Sequence, residues 1–546
     1  MSNTKKFHIW VSALFAAYAL ALFFIGYYKI GLVSDDYLNF FDATHTTLQE
    51  KFTGKLPFTN TFHLRPIYYL SIEKSHIMSS WLGLNYDNFI VYRVQNLLLL
   101  ILISFIAGKI LLLLSGRFTL ALIASGSVII FPSNLNNICW TAARVDLLCG
   151  LFYISAIFFT MRFIDKKDLL SLILIYLSFI AALLTKETSI TIPLTLIMII
   201  YFIYGKETIF KYKIHFISLL ILLLFYLLFR FYYIGNNISD ISTLYQSNFL
   251  GNAPGVIARA IIGLTIPLDF LTLSRMLRQD NKIVLLYLAS LYGAVFYLIW
   301  VMIKVDVYKH IAQIIALGFI LITPYIFVGY IRPQMVFIPF VIILIFTLWV
   351  YNHHRQFNVS LNKNIFKAFY IVVITFWIWW SYVVIIDWEI SYAKALLNVN
   401  NLINTGLEQS KQNVIIGNPG RYKQTFLFDK LTGAYNFWKE KSFTIKDTID
   451  DVVQTGALDE SSIGSKLEIR SLDSNEYEIK ATGKTQFFYI EGYNLEKIKT
   501  GYRNHNISVE FTEFNYLDKP IRLKFSILSK NVNCYLVSEL KFFKIF

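Results

Sequence analysis

Two adjacent carboxylates open the chemistry of this chain: Ser34-Asp35-Asp36-Tyr37 stands where the first apolar run ends. Paired carboxylates at a membrane surface can take a proton from a hydroxyl or hold a divalent cation, and crowding raises the pKa of one of them. A solvated turn at a helix exit is the plain alternative. Four more groups follow. His63-Leu-Arg65-Pro66 sets a cation before a proline that starts a helix. Phe131-Pro132 precedes Trp140-Thr-Ala-Ala-Arg144-Val-Asp146, an opposite-charge pair at the beginning of an apolar run. Ionisable groups at such depth are costly and face a cavity or each other. Thr185-Lys186-Glu187-Thr188 lies between two apolar runs, and Tyr330-Ile-Arg332-Pro333 carries another arginine, whose fork suits phosphate oxygens. A polar turn, a headgroup contact or a structural ion pair explains each of these taken singly.

The elements that must position them are membrane helices. Hydrophobic residues make up 56% of the chain and charged residues 16%, with a mean hydropathy of +0.53. A soluble domain carries about a quarter charged residues, so the composition belongs to lipid. Aromatic residues, at 17%, suit membrane interfaces. The net charge of +15 does not indicate nucleic acid, because most Lys and Arg sit in short loops between apolar runs. Cys139, Cys149 and Cys534 form no Cys-x-x-Cys and no paired framework.

A span needs about 20 apolar residues. Eleven runs are expected to cross: 9–32, 90–114, 118–132, 146–163, 169–185, 188–204, 214–234, 283–303, 309–329, 334–351 and 365–387. Segment 66–84, with Glu73, Lys74 and His76 in mid-run, is read as an interfacial helix, and 255–273 is placed at the interface too. Every loop on the N-terminal side is then basic, from Lys5 and Lys6 through Arg117, Lys166 and Lys211 to Lys363. The positive-inside rule makes that side cytoplasmic. Asp35, Asp36, Arg65, Arg144, Asp146, Lys186, Glu187 and Arg332 all fall on the opposite face. The domain division expected is 1–390 in the membrane and 391–546 outside it. In the second part Lys466–Arg470, Glu476–Lys480 and Ile521–Phe525 alternate with period two and Asn413–Gly417 is apolar, which predicts a small α/β or mostly β domain.

The order of motifs resembles the GT-C superfamily of glycosyltransferases: DD after the first span, RP in the first loop, FP…ARVDLL after the third, and TKE before an apolar run with Pro193. It is similar above all to the branch of protein O-mannosyltransferases, TPR-bearing membrane mannosyltransferases and bacterial aminoarabinose-transferase-like enzymes. The likeness covers about 31–195 and 325–340, with Arg144-Val-Asp146-Leu-Leu and Lys186-Glu187 its most specific parts. It implies an enzyme of the bacterial inner membrane, building cell-envelope glycan. A sugar would pass with inversion from a polyprenyl-phosphate carrier to a glycan, lipid or protein acceptor on the extracytoplasmic face. Asp35 or Asp36 would be the base, with His63, Arg65, Arg144, Asp146, Lys186, Glu187 and Arg332 binding phosphate or building the site. No cofactor is called for, although a divalent cation is compatible with the carboxylates. A lipid-linked glycan polymerase or ligase, a flippase or transporter, and a purely structural membrane protein are the alternatives.

Overall fold

The structure is a computed structural model. It describes residues 2–58, 64–234, 249–266, 273, 276–278, 281–304, 308–354 and 363–407 of the helical part. Beyond it, residues 412–422, 425–427, 431–440, 450–457, 460–483, 485–490, 501–503, 507–514, 519–529 and 532–545 are described. His63, Pro267 and Asp269 lie outside these ranges.

The first half contains α1 (Asn3–Ile25), α2 (Asp36–His45), α3 (Leu48–Thr53), α4 (Pro66–Trp81), α5 (Ile90–Ser115), α6 (Phe118–Ile130), α7 (Pro132–Cys139), α8 (Arg144–Lys166) and α9 (Leu169–Leu183). There follow α10 (Ile192–Tyr204), α11 (Lys206–Lys211), α12 (Lys213–Ile234), α13 (Phe249–Thr265), α14 (Lys282–Lys304), α15 (Tyr308–Val328), α16 (Phe337–His354), α17 (Lys363–Thr405) and α18 (Leu431–Glu440). Helix occupies every run expected to cross. Among the described residues, eight helices are long and apolar enough to span a bilayer, or nine if α6 and α7 count as one bent span. Leu169–Leu183 is apolar but shorter, at 15 residues, and α14 is an apolar helix of 23 residues, so each of the eleven expected runs holds apolar helix. The chain is thus a polytopic helical membrane protein. Segment 66–84 is helical from Pro66 to Trp81 as α4, and 255–265 lies within α13.

Local chemistry sets the breaks. Gly26, at φ 97°, caps α1 in the left-handed region, and its N–H donates to the Leu22 and Phe23 carbonyls. Pro132 has no N–H to continue the ladder of α6, so the chain turns by 54° into α7. Proline also starts α4 and the 3-10 turn Pro333–Val336.

The loops separate to two ends of the bundle. At one end Asn3 Nδ2 donates to the Gly116 carbonyl, Lys6 lies over the Phe118 ring, and Phe163 meets Tyr212 and His215. The other end gathers the segments around residues 33, 66, 141, 186, 230 and 334, through contacts described below.

The C-terminal part holds two sheets. β1 (Gln412–Tyr422), β2 (Thr425–Phe426), β3 (Asp450–Ala457), β6 (Phe487–Ile490), β10 (Val532–Ser538) and β11 (Lys541–Lys544) form the first, in the order β11-β10-β1-β3-β6 with β2 on β1. Its centre, β10-β1-β3, is parallel. β4 (Leu467–Asp473), β5 (Glu476–Ala481), β7 (Gly501–Arg503), β8 (Ile507–Phe514) and β9 (Pro520–Ile527) make an antiparallel second sheet, ordered β4-β5-β9-β8-β7. The four runs read as strands from their pattern are β1, β4, β5 and β9. One face of the first sheet packs on the second through Val414, Ile416, Ile479, Leu523 and Phe525. The other carries Ile415, Tyr535 and Val537 onto α17, α18, α2 and α4. Burial on both faces is what central parallel strands require. Helix α17 runs unbroken for 43 residues, past position 390, and so ties the membrane helices to this sheet.

Candidate functional site

The carboxylate turn is built on a strained residue. Ser34 holds φ at 58° without being glycine, a conformation that costs on the order of 1 kcal/mol and persists where surroundings enforce it. Here the Ser34 N–H donates to the Leu427 carbonyl (2.8 Å), and the Trp438 indole donates to the Tyr37 hydroxyl (3.0 Å). Just upstream, the Tyr392 ring lies where any Cβ on Gly31 would sit. Leu427 and Trp438 of the C-terminal part, together with Tyr392 of α17, thus clamp the turn.

The two aspartates differ. Asp36 is buried, and its oxygens accept from the N–H groups of Val33 (3.0 Å) and Ala142 (2.6 Å). Burial pushes its carboxyl up to about 6, against the pull of Arg93 and of those backbone donors. Asp35 begins α2 and stays half-exposed, its carbonyl accepting from the Asn39 side chain (2.8 Å). The Tyr68 hydroxyl is buried and makes no hydrogen bond among the described residues. Burial, then Tyr69 and the carboxylates of Asp35 and Asp36, push its phenol well up, which keeps that proton in place.

Arg144 and Asp146 do not pair with each other. The Arg144 guanidinium is enclosed: it donates to Asn96 Oδ1 (2.6 Å), Ser75 Oγ (2.6 Å) and the carbonyls of Ser71 and Tyr92 (3.1 Å each). It ties α8 to α4 and α5. Asp146, in the first turn of α8, bonds the Lys186 ammonium, and both are buried. That ammonium also lies 6.0 Å from the Tyr325 ring centroid. Glu187 bridges two arginines, Arg65 at 2.8 Å and Arg230 at 3.1 Å, all three half-buried. The Leu184 carbonyl accepts from the Ile67 N–H (3.3 Å), which binds this turn to the start of α4.

Asp35, Asp36, Arg65, Arg144, Asp146, Lys186 and Glu187 therefore share one connected layer. Arg332 is the N-cap residue of the turn Pro333–Val336, with its guanidinium 5.4 Å from the Tyr330 ring. Its segment joins the layer through Asn137 Nδ2, which donates to the Gln334 carbonyl (3.3 Å).

Two arginines were missed by sequence reasoning. Arg93, fully buried, donates to the carbonyls of Ile30 (2.8 Å), Gly31 (2.6 Å), Ile138 (3.1 Å) and Cys139, and so joins the strand-like entry to the carboxylate turn with the end of α7. Arg230 lies one turn from the end of α12. Both are lone charges inside apolar runs, a signal in itself. No group of three or more His, Cys, Asp or Glu suited to a metal ion occurs among the described residues.

No protein-family model matches the chain, and no curated protein matches it. Among solved structures it is similar to the crystal structure of ArnT from Cupriavidus metallidurans bound to undecaprenyl phosphate, at 11% identity and a TM-score of 0.44, over 85% of this chain and 96% of that one. So loose a superposition transfers no role to any residue.

Proposed function

We propose that this chain is a membrane glycosyltransferase that moves a sugar from a polyprenyl-phosphate carrier to an acceptor hydroxyl. The observation that supports this best is the pairing of a half-exposed carboxylate on a strained turn with a set of buried and half-buried cations. Asp35 is the base. It takes the proton from the acceptor hydroxyl while that oxygen attacks the anomeric carbon. The bond from that carbon to the phosphate oxygen breaks with inversion, and its electron pair leaves with the phosphate. Arg65, Arg230, Lys186 and Arg332 supply positive charge for the leaving group. Asp36, with both oxygens bonded to backbone N–H groups, holds the turn in place, and Arg144 holds α8 in register. Direct attack needs no metal, and a divalent cation at the carboxylates would serve to orient the phosphate.

The membrane part, 1–390, carries this chemistry, and 391–546 lies on the extracytoplasmic side, with the N-terminus in the cytoplasm. Basic loops at the end away from the site support that orientation. The enzyme would sit in a bacterial inner membrane and act on envelope glycan. Asp35→Asn should abolish transfer from polyprenyl-phosphate hexoses in membranes, while Asp36→Asn lowers it together with stability. Full transfer by Asp35→Asn would refute the assignment. A cysteine placed at Glu460 should react only with reagents added from outside; reaction from the cytoplasmic side would refute the topology.

A further inference from the structure

The eight residues of α7 are all buried, although Ser133, Asn134, Asn136 and Asn137 are polar. Asn136 is provided for, since its Oδ1 accepts from the Trp388 indole (2.9 Å). Ser133, Asn137 and Asn134 lie within an arc of about 100° around the helix. The amide nitrogen of each asparagine there donates, Asn134 to the Val128 carbonyl and Asn137 to the Gln334 carbonyl. Their carbonyl oxygens are not. Among the described residues, Asn134 Oδ1, Asn137 Oδ1, Ser133 Oγ and Thr141 Oγ1 are buried without a hydrogen-bond partner. Native proteins rarely leave such groups unmet, and four in nine residues need a cause.

Their chemistry defines what would meet them. Two amide oxygens are acceptors only, and two hydroxyls can either donate or accept. Lone pairs of that kind repel phosphate oxygens and receive O–H donors. None of the four is ionised, so none supplies a counter-charge. Their position is equally specific. Thr141 directly precedes Ala142, whose N–H bonds Asp36, and Asn137 bonds the segment that begins at Arg332. We infer that this side of α7, with Thr141, binds the hydroxyl groups of an uncharged sugar ring beside the carboxylate turn. The inference rests on the transferase reading and adds to it the class of sugar: a polyhydroxylated ring read by neutral groups.

The ring could be the one carried by the donor or one belonging to an acceptor glycan. The test uses the full-length chain in lipid nanodiscs with three probes: decaprenyl phosphate, decaprenyl phosphate bearing mannose, and free maltotetraose. Two variants are compared with the parent: Ser133→Ala combined with Thr141→Val, which keeps shape and removes both hydroxyls, and Asn137→Leu. The double variant should bind the mannosyl lipid about tenfold more weakly, bind decaprenyl phosphate as the parent does, and unfold without ligand at an equal or higher temperature. Asn137→Leu should show the same selective loss. Selective loss for maltotetraose alone supports the sugar face and assigns it to the acceptor. Unchanged binding of both sugars overturns the inference. So does a lower unfolding temperature in the double variant, because the hydroxyls would then have a structural partner. Failure of the parent to bind either lipid would overturn the transferase reading itself.

Discussion

Asp146 and Lys186 form the most deeply buried ion pair at the site, and their energetics can be worked out. Two unit charges about 4 Å apart attract by about 4 kcal/mol at an effective dielectric constant of ~20. Removing each ion from water costs several kcal/mol, so the intact pair contributes little net stability. The single substitutions are a different matter. Asp146→Asn leaves the Lys186 ammonium buried against Tyr325 with no counter-charge, and also removes a negative charge from the first turn of α8. The expected cost is about 3–5 kcal/mol. Lys186→Met strands Asp146 at a similar cost. The double variant Asp146→Leu/Lys186→Met removes both charges and should return to within about 1–2 kcal/mol of the parent. Thermal unfolding of the four proteins in one detergent, read as a double-mutant cycle, measures the coupling. The two single variants should lose several degrees each, and the double variant should recover most of that loss. Transfer activity should stay lost in the double variant, because the cation proposed for the leaving phosphate is gone. Additive effects, with the double variant the least stable, would refute the account of a mutually dependent buried pair.

Other substitutions probe the remaining contacts. Arg144→Lys keeps the charge but cannot reach Asn96, Ser75 and two carbonyls at once; a loss of about 2–4 kcal/mol is expected, and an unfolding temperature equal to the parent's would contradict it. Ser34→Gly should be neutral or stabilising by up to about 1 kcal/mol, and Ser34→Val destabilising by more than that; the reverse order in thermal unfolding would mean that φ of 58° is not held in the protein. The carboxyl of Asp36 is raised to about 6, so its stabilising contribution is full below the ordinary carboxylate range and is lost as pH rises through about 6. Between pH 5 and 7 the parent should therefore lose about 1 kcal/mol more than Asp36→Asn does; parallel pH profiles of the two proteins would rule this out.

How much of this was legible depended on range along the chain. Apolar runs and basic loops are local signals, and they placed helices wherever a crossing was expected. Alternation located β4, β5 and β9 for the same reason. Strand order is not local: β1 pairs with β10, and Asn413 faces Asn533 across 120 residues of chain. The last membrane helix continues beyond the run expected to cross, 365–387, as far as Thr405, because Ala395, Val399 and Leu402 supply a buried stripe at helical spacing against the sheet. Arg93 escaped notice because its ligands are carbonyls of segments about 45 and 63 residues away, and no pattern near residue 93 announces them.

The distribution of partners explains why the site needs so many separate segments. Carboxylates and cations placed freely in one low-dielectric layer would collapse into direct pairs, leaving neither acid–base capacity nor positive charge for a phosphate. Here the neutralisation is divided. Asp36 is held by backbone N–H groups, Arg93 by carbonyls, and Arg144 by carbonyls and neutral side chains. Lys186 takes Asp146, while Glu187 serves two arginines together. Such an arrangement requires donors and acceptors from the first loop, α4, α5, the α7–α8 junction, the turn at Lys186 and the end of α12. One helix could not provide them, because its backbone groups are already committed to its own ladder. The irregular junctions at Ser34, Trp140–Ala143 and Lys186 are therefore where backbone N–H and C=O groups come free to hold charges apart.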